Sequence, residues 1–273
     1  MPVIAVPSEA RSRLVRLFAA HRRDRAIIDC VLEGHVGQAF ADDLAAPTVA
    51  RLDCGPFAAL GGDPDSPAAR ELLCYAPIDW VTPETDAWRA FLEAEFAGRI
   101  RRIDFVELSA ASLDAGRLEA LSRALPKGCE LARLNAELAE ALIRDLGKRW
   151  LLDSYASMDD FLARGIGYVV LHNGRVVGSA ASAVSSSRAI DIDIEVAPAH
   201  RRKGLGAAVG AALALECVQR GIEPLWLASN DISVRLARKL SYIAGGTYET
   251  FEILAAPRWN QAADPDAIGD SGG

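Results

Sequence analysis

The stretch from Ala189 to Arg220 constrains this fold more than any other part of the chain. Residues 189–197 (AIDIDIEVA) alternate Ile190, Ile192 and Ile194 against Asp191, Asp193 and Glu195, the period-two pattern of a strand with one buried face. If the strand is regular, the three acids share its other side. A basic turn containing glycine follows. Beyond it, a helical pattern from about Lys203 to Arg220 sets Leu205, Ala208, Val209, Ala212 and Leu213 on one face, so this helix can lie back on the sheet while its first turn stays open.

The rest of the second half is consistent with that start. A turn signal at Pro126-Lys127-Gly128 precedes a strand at 129–135, a helix from Ala136 and a helix around Met158 to Ala163. Strands at 167–172 and 176–184 flank Asn173-Gly174, a strong hairpin signal. After the long helix come a strand at 224–229, a helix from Ile232 to about Leu240, and a last strand near Tyr248 to Leu254. Residues 1–125 read as a smaller α+β domain with strand-like runs at 49–54, 72–81 and 99–108. Residues 126–256 form the main domain, and 257–273 a frayed tail. Gly55 to Pro67 is too rich in Gly, Pro and Asp to continue a regular element. Ser8 is expected to cap a helix over 8–25 that lays Leu14, Leu17 and Phe18 on a core; an Arg-rich targeting or membrane-surface helix is the other reading. Asp79, Trp80, Asp86 and Trp88 could line a site, although Trp in such runs is more often a core anchor.

Composition excludes several classes. The chain has 273 residues, 51% of them hydrophobic, enough for packed cores, and a formal net charge of -7 that argues against nucleic acid as a partner. No apolar run reaches the roughly 18 to 20 residues of a membrane helix, so no membrane association is expected. Five scattered cysteines without a C-x-x-C pair point to reduced thiols in a cytoplasmic protein, with neither a disulfide framework nor a metal site.

Chemistry concentrates at Val196 to Ala207, between strand and helix. Small residues let the backbone approach a ligand, N–H groups at the helix start point toward it, and Arg201, Arg202 and Lys203 add charges that suit a pyrophosphate. A Walker A loop fails, because Ala207-Ala208 stand where Lys-Ser/Thr belongs. A dinucleotide fingerprint on Gly204, Gly206 and Gly210 is weak, since Pro198 and a basic tripeptide separate the glycines from the strand. An ordinary glycine turn with a solvated charge run is the remaining alternative.

The block from Cys129 onward resembles the GNAT acyltransferase superfamily in both motif and order of elements. Its hallmark Arg/Gln-x-x-Gly-x-Gly/Ala is matched by Arg201, Gly204 and Gly206, preceded by Val196-x-Pro198. Downstream, Asn230, Ser233 and Lys239-Leu240-Ser241-Tyr242 match the second family motif. A closer likeness, over most of the chain, is to a bacterial branch labelled zwittermicin-resistance-type acetyltransferases, carried by FLARGIGYVVL at 161–171, IDIDIEV, RRKGLG and PLWLASNDISVRLARKLSY.

The resemblance implies an α/β (α+β) chain whose GNAT domain has a mixed, mostly antiparallel central sheet flanked by helices. It implies acetyl-CoA as cosubstrate, no metal, and acetyl transfer to a small amine acceptor in a ternary complex. An N-terminal region that shapes the acceptor pocket is expected, and a homodimer is compatible with it. A protein or peptide amine is the second enzymatic reading, and non-catalytic acetyl-CoA binding a third. A nucleotide-binding protein without acyl chemistry ranks last. Carried over by position, the backbone of Ile194, Glu195 and Val196 would hold the pantetheine arm, and Arg201, Arg202, Lys203, Gly204, Leu205, Gly206 and Ala207 the pyrophosphate. Asn230 and Ser233 would touch the pantetheine or distal CoA, with Arg235, Arg238 or Lys239 near the 3′-phosphate. An ammonium must lose a proton before it attacks, and Glu195, then Asp193, then Asp191 are the candidate bases. Two departures stand out. Ala237 occupies the place of the family's usual tyrosine acid, leaving Tyr242 or a water to substitute, and Ser241 replaces a glycine that commonly adopts a left-handed conformation.

Overall fold

The computed structural model describes residues 3–255. In chain order the elements are β1 (Ile4–Ala5), a 3-10 helix (Ser8–Phe18), α1 (Arg25–Leu32), β2 (Gln38–Ala41), β3 (Val49–Cys54), β4 (Phe57–Gly62) and α2 (Ala69–Cys74). There follow β5 (Trp80–Val81), α3 (Asp86–Glu95), β6 (Ile100–Ser109), α4 (Ala115–Arg123), β7 (Cys129–Arg133), α5 (Ala136–Leu146), a 3-10 turn (Arg149–Leu152) and α6 (Met158–Arg164). The chain continues through β8 (Gly167–His172), β9 (Arg175–Ser185), β10 (Ala189–Val196), a 3-10 turn (Pro198–His200), α7 (Leu205–Arg220), β11 (Glu223–Leu225), α8 (Asp231–Lys239) and β12 (Ile243–Ile253). The expected tail at 257–273 lies outside the described residues.

Two compact units interleave in the sequence: of the described residues, one takes 3–24, 38–103 and 249–255, the other 25–37 and 104–248. The turn at Pro126-Lys127-Gly128 is real, with Gly128 at φ 80°, but it falls inside the second unit. Earlier parts of the chain, α1, α4 and the second half of β6, belong to that unit by packing. On α1, Asp29 accepts from Arg188 at 2.8 Å, and on α4, Leu118 shares a buried cluster with Ala207, Ala211 and Trp226. Long-range contacts of this kind leave no mark at a chain position where composition changes.

In the first unit Phe40, Leu60, Leu72, Trp88, Leu92, Phe96 and Phe251 build the core. Three expectations are corrected here. Residues 72–81 are not one strand: Leu72 to Cys74 close α2, and only Trp80–Val81 is extended. The reason is Arg51, 1% exposed, whose guanidinium donates to the carbonyls of Leu72, Ala76 and Pro77 at 3.0, 2.8 and 2.9 Å, taking up groups a strand ladder would have used. Gly55 to Pro67 does contain a strand, β4, which pairs antiparallel with β3 from Cys54↔Phe57 to Val49↔Gly62. Its Gly61 is a packing site rather than a breaker, since a Cβ there would lie 2.8 Å from the Leu17 carbonyl and the Phe18 ring. The N-terminal helix is 3-10 and is preceded by Pro7 as its cap residue, with no side-chain cap from Ser8; Leu14 and Phe18 are buried and Leu17 only partly. Trp88 is a core anchor whose indole N–H donates to the Gly62 carbonyl at 3.1 Å.

The second unit carries a five-stranded sheet in the order β11-β10-β9-β8-β7. Within this sheet only β10 and β11 run parallel. Asn173 and Gly174 both hold positive φ, 52° and 73°, as the predicted hairpin turn requires. Leu142, Phe161, Val169 and Ala181 join α5 and α6 to one face of the sheet; Leu205, Val209, Leu213 and Cys217 of α7 meet Val170, Ala180 and Ile190 on the other. Helix α7 is not the one-faced helix expected, for Ala207, Ala211 and Ala214 are buried on a second side. A helix so apolar all round is enclosed on more than one side. Among the described residues no helix is long and apolar enough to cross a membrane.

Candidate functional site

Strand β10 ends in a fork. Residues 189–191 pair in parallel with 223–225, and there the pairing stops. The expected strand over 224–229 therefore ends at Leu225, because the chain swings away and Ala228 instead bridges to Val106, accepting its N–H at 2.9 Å. Strand β10 runs on to Val196 with β9 alone beside it. Its abandoned edge from residue 192 onward has no strand paired to it, so backbone polar groups there can meet a ligand that lies along it.

That edge forms one wall of a cavity of about 720 Å³. The opposite wall carries Trp226, Leu227, Asn230, Ser233 and Leu236, and the floor is the start of α7. Gly204, at φ 85°, precedes α7 with no side-chain cap, so the first-turn N–H groups that a helix leaves unpaired have no protein side chain to satisfy them. Arg202 is also left-handed, at φ 61°, a conformation that costs a non-glycine residue roughly 1–2 kcal/mol. Such strain is typical of ligand clamps. A Cβ at Gly206 would sit 3.4 Å from Leu236 Cδ2 and 3.5 Å from Val196 Cγ2, ordinary contact distances, so the start of α7 packs directly beneath the fork.

Of the residues singled out in the sequence, Asp193, Ile194, Glu195, Val196, Arg201, Arg202, Gly204, Leu205, Gly206, Ala207, Asn230 and Ser233 all line this cavity, as does Lys239. Lys203 turns back, its ammonium donating to the Ala199 carbonyl at 3.0 Å. Arg235 faces Asp231 at 3.9 Å. Asn230 and Ser233 have structural tasks as well. The Asn230 Oδ1 accepts the Ser233 N–H at 3.0 Å and caps α8, while the Ser233 hydroxyl accepts from the Trp226 indole at 2.9 Å. Arg201 spends two of its donors on the fork, at 3.0 Å to the Val196 carbonyl and 3.1 Å to Glu195 Oε1.

Asp193 and Glu195 share one face of β10, opposite Ala181 and Ser179 of β9, as the alternation predicts. The irregularity in this ladder lies between Asp191 and Ile192, away from that pair, and Asp191 itself is buried. What the sequence did not reveal is Lys148. Its Nζ lies 2.9 Å from Asp193 Oδ2 and 3.6 Å from Glu195 Oε2, and 4.9 Å from the centre of the Trp150 ring. Gly147, left-handed at φ 69°, ends α5 and turns the chain so that this lysine is buried. A single lysine 45 residues from its partner carries no local signal. Burial raises the Asp193 carboxyl above its usual range, Lys148 opposes that, and Glu195 adds to it.

The place of the tyrosine acid is filled by a fully buried Ala237. Tyr242 cannot replace it, which corrects the expectation above: its hydroxyl is tied to the Pro224 carbonyl at 3.0 Å, and burial pushes its ionisation well above the ordinary range. Ser241 does hold the left-handed conformation, at φ 79°.

Comparison with known proteins places this geometry in a family. The family model described as GNAT acetyltransferase matches residues 15–251. A solved GCN5-related N-acetyltransferase-like protein from Streptococcus suis 89/1591 is 30% identical, with a TM-score of 0.77 over 91% of this chain and 100% of that one. The uncharacterized N-acetyltransferase YdfB of Bacillus subtilis (strain 168) is 28% identical over 120 residues, 43% of this chain and 46% of that relative, so the match spans under half its length. A GCN5-related N-acetyltransferase from Kribbella flavida, 17% identical over 92% of this chain and 97% of that one, shares the fold at a TM-score of 0.54. The chain belongs to the GNAT acetyltransferase family.

Proposed function

We propose that this protein transfers the acetyl group of acetyl-CoA to the amine of a small molecule, both substrates being held in one complex. The observation that carries this reading is the fork: an unpaired strand edge that leads straight onto an uncapped helix start flanked by Arg201 and Arg202. These residues fit the group. The edge at Ile194 to Val196 offers amide partners to a pantetheine arm, and the turn from Arg202 to Ala207 offers N–H groups and charge to a pyrophosphate. When bound, acetyl-CoA supplies an activated thioester. Glu195, the more exposed of the two cavity carboxylates at 34% against 19%, is the proton acceptor for the incoming ammonium, and Asp193 supports it. A small acceptor also accords with the likeness to the zwittermicin-resistance-type branch, and five scattered cysteines without a C-x-x-C pair with a cytoplasmic setting.

The test is calorimetric titration of acetyl-CoA, CoA and NAD into wild type and an Arg201→Ala/Gly206→Asp variant. Binding of the CoA species alone, lost in the variant, is the expected result; no CoA binding by folded wild type would reject the reading. One observation favours a second reading, acetyl-CoA binding without turnover: neither Ala237 nor Tyr242 can protonate a departing thiolate. A thiol's ordinary pKa of about 8.5 makes such an acid dispensable, so transfer is preferred. Tight CoA binding without thiol release across an amine panel would reverse that order.

A further inference from the structure

We propose that Lys148 is the positioning residue of the acyl-transfer site, clamping Asp193 and Glu195 as an ionised pair; this rests on the acetyltransferase reading above. The two carboxylates stand two residues apart on one face of β10, about 6.6 Å along the strand, in a partly buried cavity wall. Like charges so placed make each other's ionisation less favourable, and a cation between them offsets that cost. Lys148 supplies that cation from outside the strand. Its Nζ reaches Asp193 at 2.9 Å (Oδ2) and 3.2 Å (Oδ1), and Glu195 Oε2 at 3.6 Å.

Lys148 is held at both its backbone and its side chain. The left-handed Gly147 fixes the backbone behind it, Leu151 donates its N–H to the Lys148 carbonyl at 3.2 Å, and the Trp150 ring lies against the charge. The remaining groups facing the pair are few. Arg201 holds the other Glu195 oxygen at 3.1 Å, so that carboxylate is bracketed by two cations. From β9 the register presents only Ala181 and Ser179, and His200 shares the cavity farther along. An ammonium as buried as Lys148 is rarely found without such partners. Its geometry therefore answers to the carboxylates rather than to solvent.

The experiment is a pH titration of carboxyl-13C-labelled protein by NMR in wild type, Lys148→Met and Lys148→Arg, with Asp193→Asn and Glu195→Gln assigning the two signals. Alongside it, acetyl-CoA binding is followed by calorimetry and CoA thiol release by assay with n-butylamine. In Lys148→Met, one member of the pair is expected to titrate higher by roughly 1 to 3 in pH. Lys148→Arg should restore most of the wild-type midpoint, acetyl-CoA binding should persist, and the acidic limb of kcat/KM should move the same way as the titration. Unchanged midpoints in folded Lys148→Met overturn the proposal. If Lys148→Met does not fold, the 15N-labelled Lys148 ammonium is titrated in wild type and Asp193→Asn; a lower midpoint in the variant supports the clamp, and equal midpoints overturn it. Wild type that titrates as expected yet binds no acetyl-CoA overturns the positioning role through the reading it rests on, while the charge coupling stands.

Discussion

At Tyr242 a hydroxyl that the bare sequence offers as a proton donor already has a fixed acceptor, the Pro224 carbonyl, and the ring packs edge-on against Trp226. Tyr242→Phe should therefore behave as a stability change: a loss of about 1 kcal/mol in urea unfolding, with CoA thiol release unaltered. A fall of roughly 100-fold or more in turnover would instead mark it as the acid. The same scale shows what could be read from residue types alone. Arg201, Gly204 and Gly206 were recognisable because backbone conformation and anion chemistry restrict those positions to few residue types, and Asn230 only through its match to the second family motif. Lys148 was not, since its role depends on a partner in a distant strand, and neither was the committed state of Tyr242.

At the scale of elements, α8 ends in a Schellman arrangement in which Tyr242 N–H bonds the Ala237 carbonyl and Ser241 N–H the Arg238 carbonyl, both at 3.0 Å. Ser241 carries the left-handed residue of that motif, where a Cβ is unfavourable. Ser241→Gly is expected to raise stability by about 0.5–1 kcal/mol, read as a shift of the urea midpoint at constant slope. The Ser112 hydroxyl bonds the Ser241 carbonyl, a backbone group that the substitution keeps. Periodicity made β10 and α8 legible, the Asn-Gly pair the hairpin at Asn173-Gly174, and α7 was found as a helix although its burial on two sides was not. Residues 55–67 and 72–81 misled because Gly61 is retained for close packing and Leu72 to Cys74 answers to Arg51 from another strand.

At the scale of the molecule, a chain of net charge -7 is expected to bind a polyanion. Magnitude decides which charges matter: at physiological salt the Debye length is about 8 Å, so distant acids are screened while Arg201, Arg202 and Lys239 act at the cavity itself. CoA affinity should accordingly fall as salt rises, measured by calorimetry across a sodium chloride series. A rise with salt would mean that the overall negative charge governs the encounter. By itself the sequence determined the strand–turn–helix unit and the family, properties carried by local periodicity and short motifs, and left the side of β10 taken by its acids to the regularity of the strand. Only the tertiary structure decided that β11 leaves β10 after three pairs, that α1 and α4 join the second unit, and that Lys148 closes on Asp193 and Glu195. Those outcomes depend on which distant groups come to share buried space, where polar atoms must find partners and apolar ones must fill volume, and no local stretch of residues encodes that choice.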